Sequence, residues 1–332
     1  MVNFGIIGFG LHAAKRLMPG FALAKNCRVT ALSRRELTKA QESARKYEIP
    51  LAFDSAEALC RSPQVDAVFV ATPNACHLQD VLLAASCGKP ILCEKPMAIN
   101  AEQCRQMVEA ARKAKVLLGI AQVFRFEDSL AWFRDRLAAK AIGETVFARS
   151  EFSFRADASH PRTWIDDPVV AGGGPIADVG VHCVDALRFV LQDEVRTVSA
   201  RAIAGKPGKV EAGATVVLEF ARGTVATVMV SFRAEYRTPL ELVGESGVLR
   251  ADNALTVDRP VRLETCRNGA VVESSTVSNE LAYARQVDAF AAAVEGRAAF
   301  PIPGEEGWRN QQILDAAYRS IKTGRTEEVE NI

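Results

Sequence analysis

Val2-Asn3-Phe4-Gly5-Ile6-Ile7-Gly8-Phe9-Gly10-Leu11-His12-Ala13 opens the chain with an apolar run, a glycine-spaced turn and the start of a helical pattern that continues to about Ala24. Six apolar-rich residues read as a buried strand, and the change of period after the glycines reads as a helix. The spacing Gly8-x-Gly10-x-x-Ala13 has a mechanical meaning. Gly8 permits a tight turn, Gly10 lets the backbone approach a pyrophosphate on the helix N-terminus, and Ala13 keeps helix and sheet close. Such a triplet is weak alone. Placed between a first strand and a first helix, with a second strand over Arg28–Ser33, it predicts a dinucleotide site at Gly8, Phe9, Gly10, Leu11 and His12.

The rhythm set by this stretch persists through the first third. A polar helix runs to Tyr47. Strands are expected over Val65–Ala71, Pro90–Glu94 and Val116–Gln122, with helices over His77–Ser86 and Ala101–Lys115. Apolar strands alternating with helices predict a parallel sheet covered on both faces, an α/β doubly wound Rossmann domain over residues 1–121. After Gln122 the pattern changes. Helical material reaches Ala139, a strand covers Thr145–Phe154, and a glycine cluster at Gly172–Gly174 leads a helix. Strands follow over Val195–Ile203, Ala212–Phe220, Thr224–Phe232, Leu240–Val243, Val261–Thr265 and Val271–Thr276, then two helices near Glu280–Glu295 and Glu305–Thr323. Closely spaced strands with tight turns predict an open, mostly antiparallel sheet in an α+β domain over 122–332.

The end of the second strand bears on the adenosine ribose. An NAD site places an acid there for the 2′-hydroxyl. Here Ser33-Arg34-Arg35 precedes the first acid, Glu36. One hydroxyl and two guanidiniums suit a 2′-phosphate, which favours NADP over NAD.

The totals exclude several classes. The 332 residues carry 41 Lys and Arg against 40 Asp and Glu, net +1, so no global field attracts nucleic acid or an anionic membrane. No apolar run reaches the roughly 18 residues of a membrane span, and the N-terminal stretch lacks a basic leader, which predicts a cytoplasmic protein. Eight cysteines without a CxxC pair read as small buried hydrophobes, and four histidines without zinc spacing predict no metal.

Three further segments carry a family likeness. Thr72-Pro73-Asn74, followed by His77, closes the strand after Val65. Cys93-Glu94-Lys95-Pro96 closes the next. Gly172-Gly173-Gly174-Pro175-Ile176-Ala177-Asp178-Val179-Gly180-Val181-His182 starts the later helix. In this order after the glycine turn, and with the late Pro303-Gly304-Glu305-Glu306-Gly307, the chain resembles the glucose–fructose oxidoreductase/inositol dehydrogenase (Gfo/Idh/MocA) family. The resemblance implies a Rossmann domain plus an open-faced sheet domain with substrate between them, and a catalytic set of Lys95, Asp178 and His182. It implies that Thr72, Pro73, Asn74, His77, Glu94 and Lys95 lie along the cofactor and that Lys95–Pro96 is cis. One departure stands out: where family members often carry Arg-Phe followed two residues later by Pro, Arg125-Phe126 is followed by Glu127-Asp128, with no Pro.

The residue types suit hydride chemistry. Removing hydride from a carbinol also requires a base for the hydroxyl proton. His182 meets that need near neutral pH. Asp178, four residues earlier, shares its helix face, Asp185 extends the stripe, and apolar residues fill the opposite arc. Gly172–Gly174 would let backbone approach a ligand closely. Lys95, at the C-terminal end of a parallel strand, can hold the reacting oxygen and its developing charge. The roles of Lys95 and His182 could be exchanged. Arg125, Arg155 and Trp164 are further candidates for the substrate pocket. Tyr318-Arg319-Ser320-Ile321-Lys322 spells a YxxxK motif, but on the last helix it reads as packing. The expected activity is hydride transfer with a sugar, inositol or related polyol. A glycoside hydrolase with transient oxidation and a non-catalytic dinucleotide sensor are the alternatives; the retained Lys95 and His182 argue against the sensor. The open sheet predicts a homodimer or homotetramer.

Overall fold

The computed structural model describes residues 1–156, 160 and 162–330. By packing, the chain forms two compact units, Met1–Gln122 with Tyr283–Gln311, and Val123–Ala282 with Gln312–Ile332.

The first unit begins with β1 (Val2–Ile7), a π turn (Ala13–Leu17) and α1 (Met18–Leu23). The π turn has a local cause. Pro19 has no N–H and its ring crowds the preceding turn, and widening that turn relieves the clash. There follow β2 (Cys27–Ser33), α2 (Leu37–Lys46), β3 (Leu51–Phe53), α3 (Ala56–Arg61), β4 (Ala67–Val70), α4 (His77–Ser86), β5 (Ile91–Glu94), α5 (Ala101–Ala114) and β6 (Leu118–Ala121). The sheet order is β3-β2-β1-β4-β5-β6, all parallel. This is the doubly wound sheet expected from the sequence. Its reversal of strand order between β1 and β4 puts the glycine turn and the end of β4 side by side, the location where such sheets take ligands.

The second unit carries α6 (Asp128–Ala138), β7 (Thr145–Ser153), α7 (Pro168–Ala171), a π turn (Ile176–Gly180) and α8 (Val181–Leu191). Then come β8 (Val195–Ile203), β9 (Gly213–Phe220), β10 (Val225–Ser231), β11 (Leu240–Gly244), β12 (Gly247–Ala251), β13 (Val261–Arg267) and β14 (Ala270–Val277). With a short β15 (Glu327–Glu328) they form one nine-stranded sheet, β14-β13-β12-β11-β7-β10-β9-β8-β15. Every pair is antiparallel except β7–β10, which is parallel. One sheet face packs inward: Val216, Val228 and Val230 share an apolar core with Ile176, Gly180 and Val184 and with Ile313, Leu314 and Ala317. On the opposite face Phe147 is 56% and Val217 39% exposed, as the period-2 alternation of β7 and β9 requires.

The packing does not follow a single cut after residue 121. Helix α9 (Ala282–Val294) and the start of α10 (Gly304–Thr323) belong largely with the first unit. Phe290 lies 6.0 Å from Phe4 and 5.2 Å from Phe300, centroid to centroid, and a Cβ on Gly119 would meet both Phe300 and Phe290. Gly307 likewise admits Ile120 and Met97 at distances no larger residue would allow. The late Pro-Gly-Glu-Glu-Gly segment therefore packs on β6.

The missing proline after Arg125-Phe126 costs no turn. A 3₁₀ turn over Val123–Phe126 leads directly into α6, and the Glu127 N–H bonds to the Phe124 carbonyl. Glu127 itself is buried, and the Ser129 hydroxyl lies 3.2 Å from its carboxyl. Burial pushes that carboxyl well above the usual range.

Candidate active site

In the first unit, the turn after β1 is built around Gly8. Its φ of +80° lies in the left-handed region, and an added Cβ would sit 2.5 Å from the Thr72 side chain and 2.9 Å from its backbone. Only glycine fits both demands. The Phe9 N–H bonds to the Ser33 carbonyl, which ties the turn to the end of β2. Gly10 is different. A Cβ there would find nothing nearer than the Gly8 carbonyl at 3.7 Å. It is glycine without an internal steric reason, at the exposed mouth of the turn. That is the space a pyrophosphate needs, so the residues present fit a dinucleotide. Leu11 beside it is also exposed.

His12, on the same turn, places Nε2 2.8 Å from the Glu94 carboxylate at the end of β5. The other Glu94 oxygen accepts the Lys95 backbone N–H at 3.2 Å. Burial opposes the charge on Glu94, but His12 and Lys95 outweigh it and hold the carboxyl below its usual range. The pair fastens the glycine turn to the strand end that carries Lys95, and the Lys95–Pro96 peptide is cis. At the end of β2, Ser33 is buried, Arg34 donates to the Ser43 hydroxyl at 2.9 Å, and Arg35 is exposed. The Thr72 hydroxyl is taken by Asp80 at 2.6 Å; Pro73 is half-buried and Asn74 buried beside it.

In the second unit, the π turn and α8 carry Asp178, His182 and Asp185, only 7%, 6% and 2% exposed. The two terminal guanidinium nitrogens of Arg162 donate to Asp178 at 2.9 Å, one to each oxygen. Burial works against the Arg162 charge, and Asp178 more than restores it. Arg125 makes the equivalent two-pronged pair with Asp185 at 2.9 and 2.7 Å. The His182 ring lies between aromatic neighbours, 4.4 Å from Phe124 and 5.9 Å from Phe152 by centroid. An imidazole so fixed, with one charge-compensated carboxylate a turn before it and another after it, is a preorganised polar stripe inside an apolar wall.

Sequence comparison agrees with this architecture. Residues 2–122 match the model of the oxidoreductase family with an NAD-binding Rossmann fold, and residues 131–250 match the GFO/IDH/MocA C-terminal domain. The chain belongs to the GFO/IDH/MocA oxidoreductase family. It is 32% identical to 1,5-anhydro-D-fructose reductase of Ensifer adhaerens, covering 99% of each chain. It is 31% identical to D-xylose 1-dehydrogenase (NADP(+)) 2 of Haloferax volcanii, covering 98% of this chain and 99% of that one. The fold matches the aldose-aldose oxidoreductase of Caulobacter crescentus complexed with glycerol, with a TM-score of 0.90 at 24% identity over 98% and 99% of the two chains.

Within this GFO/IDH/MocA oxidoreductase several expectations need correction. His77 is fully buried, with Nδ1 3.1 Å from the Pro96 carbonyl and Nε2 2.8 Å from that of Thr72. It braces the loops after β4 and β5 and presents no ring atom to a cofactor. Arg125 spends its guanidinium on Asp185 and lies 5.6 Å from the Phe189 ring, so it orders the helix. The helix is not half exposed: from Val181 through Arg188 every residue is buried, because α6 covers what the sheet does not. Residues 176–180 form a π turn, although Asp178 and His182 still follow one another on the same segment. Arg155 is exposed and Trp164 half-buried. The glycine cluster serves the protein itself. A Cβ on Gly173 would stand 1.9 Å from the Tyr318 hydroxyl, and one on Gly174 2.4 Å from the Glu211 carbonyl. Sequence reasoning missed Arg162 as the partner of Asp178, and missed Glu211. Neither has a local signal, since each acts across 16 or more residues of chain. Among the described residues no three His, Cys, Asp or Glu side chains gather as a metal site, and no helix is long and apolar enough to cross a membrane.

Proposed function

We propose that the protein transfers hydride between NADP and a hydroxyl or carbonyl carbon of a sugar, anhydro-sugar or related polyol. The observation that carries this reading lies in the first unit. The His12–Glu94 pair joins the dinucleotide turn to the strand end bearing Lys95. A cation so placed stands where substrate oxygen and cofactor would meet. The relatives named for 1,5-anhydro-D-fructose and D-xylose support a sugar-like substrate.

The Gly8–Ala13 turn would hold the pyrophosphate through backbone N–H groups, and Ser33, Arg34 and Arg35 would hold a 2′-phosphate. When bound, the nicotinamide supplies the hydride acceptor or donor. Lys95 binds the substrate oxygen that gains or loses charge. His182 takes the hydroxyl proton in oxidation and returns it in reduction. Asp178, held by two hydrogen bonds from Arg162, orients His182 or a neighbouring substrate hydroxyl. Residues 1–121 would thus serve the cofactor and 122–332 the substrate, in the cytoplasm.

Fluorescence titration should give tighter binding of NADPH than NADH, followed by turnover of an aldose or polyol at the nicotinamide absorbance. Arg35→Ala should weaken NADPH by roughly 10-fold or more, the worth of one charged hydrogen bond, and leave NADH unchanged. Equal affinity for both cofactors in the unmodified enzyme would overturn the NADP assignment. We propose further that the exposed sheet face, with Phe147 and Val217, associates with a second copy as a homodimer or homotetramer. Light scattering should report at least twice the chain mass; a monomer would refute it.

A further inference from the structure

The segment that carries Asp178 and His182 begins with an unusual shortage of donors. Pro175 has no N–H, and the amides of Gly174 and Ile176 on either side of it need partners at its head. Both go to one carboxylate. Glu211, on the approach to β9, accepts the Gly174 N–H at 3.1 and 3.0 Å and the Ile176 N–H at 3.1 Å. Its Oε1 also accepts the Tyr318 hydroxyl at 3.0 Å, from the last helix. Tyr318 is held firmly protonated, by burial first and by Glu211 second, so it stays a donor. A carboxylate also suits the positive end of a helical segment.

The glycines complete the device. Tyr318 and Glu211 reach the segment only because positions 173 and 174 lack Cβ atoms. Three parts of the sequence far apart in the chain thus converge on the two amides that lie two to four residues before Asp178. Nothing in hydride chemistry requires Glu211 to touch substrate, and nothing in packing alone requires a half-buried carboxylate with four hydrogen bonds.

We propose that Glu211 and Tyr318 are positioning residues for the acid/base pair: they fix the start of the π turn and so set where Asp178 and His182 stand. The proposal rests on His182 being the acid/base group. Displacing a reacting group by about 1 Å can cost on the order of 100-fold, whereas the folded state loses only a cap.

The test compares Glu211→Ala, Glu211→Gln, Tyr318→Phe and His182→Gln in the full-length enzyme. Each is assayed for kcat, KM, NADPH affinity, the pH profile of kcat/KM and melting temperature. Glu211→Ala should lower kcat roughly 10- to 100-fold and shift the pH profile, with NADPH affinity unchanged. Glu211→Gln, which keeps an acceptor oxygen, should recover part of the loss. Tyr318→Phe removes one hydrogen bond of about 1 kcal/mol and should lower kcat roughly five-fold. It also serves if Glu211→Ala fails to fold. Wild-type kcat and pH profile in Tyr318→Phe and Glu211→Gln, beside an inactive His182→Gln, would overturn the positioning role and leave the site reading intact. An active His182→Gln would remove the acid/base assignment and the positioning role with it.

Discussion

His182→Gln is expected to fold, to bind NADPH as the unmodified enzyme does, and to lose turnover by roughly 100- to 10,000-fold, the usual contribution of a general acid/base. The ring is 6% exposed and packs on Phe124 and Phe152, so glutamine, which fills most of that space, is a better probe than alanine. Cofactor binding should survive because the glycine turn and Lys95 belong to the first compact unit and His182 to the second. Lys95→Met keeps the aliphatic stem and removes the charge. It should lower kcat by roughly 100- to 1,000-fold, as expected when one donor to a developing oxyanion is lost. Turnover followed at the nicotinamide absorbance separates the outcomes. Near-normal rates in both variants would remove the site assignment, and a loss in Lys95→Met alone would exchange the two roles.

Much of both sheets was legible because the signals are local. Val2–Ile7, Val195–Ile203 and His77–Ser86 stand where period and composition put them. Strand β3 was hidden because three half-buried residues cannot display a period. The edge strand β15 pairs two glutamates with Val198 and Thr197, a contact no local pattern announces. The same distinction governs the site. The dinucleotide turn is a continuous motif, and the structure gives each of its glycines a separate reason.

The Gly172–Gly174 cluster misled because a glycine reports only that something comes close, not what. Here it is Tyr318 and Glu211, 145 and 37 residues away from Gly173 and Gly174. Helix α8 looked amphipathic because Asp178, His182 and Asp185 form a polar stripe, which the structure extends to Arg188. The structure instead neutralises that stripe with Arg162, Arg125 and Glu194 and buries it. Burying charges is costly unless they are paired and hydrogen-bonded, and all three pairs have two bonds. Sequence could show the stripe but not its partners.

The two glycines of the first turn should respond differently to the same methyl group. Gly10→Ala should leave the melting temperature near that of the unmodified enzyme, since the new Cβ meets only the Gly8 carbonyl at 3.7 Å. It should nevertheless weaken NADPH and NADH alike, because the methyl would fill the approach to the pyrophosphate. Gly8→Ala should damage both properties. A φ of +80° costs an alanine about 1–3 kcal/mol, and the contacts at 2.5 and 2.9 Å to Thr72 add a shift of the neighbouring loop. A total of at least about 2 kcal/mol corresponds to roughly a 30-fold weaker cofactor complex if the strain is relieved by distorting the turn. Calorimetry with and without NADPH measures both quantities. Should Gly10→Ala bind either dinucleotide with unaltered affinity, the turn does not cradle a pyrophosphate.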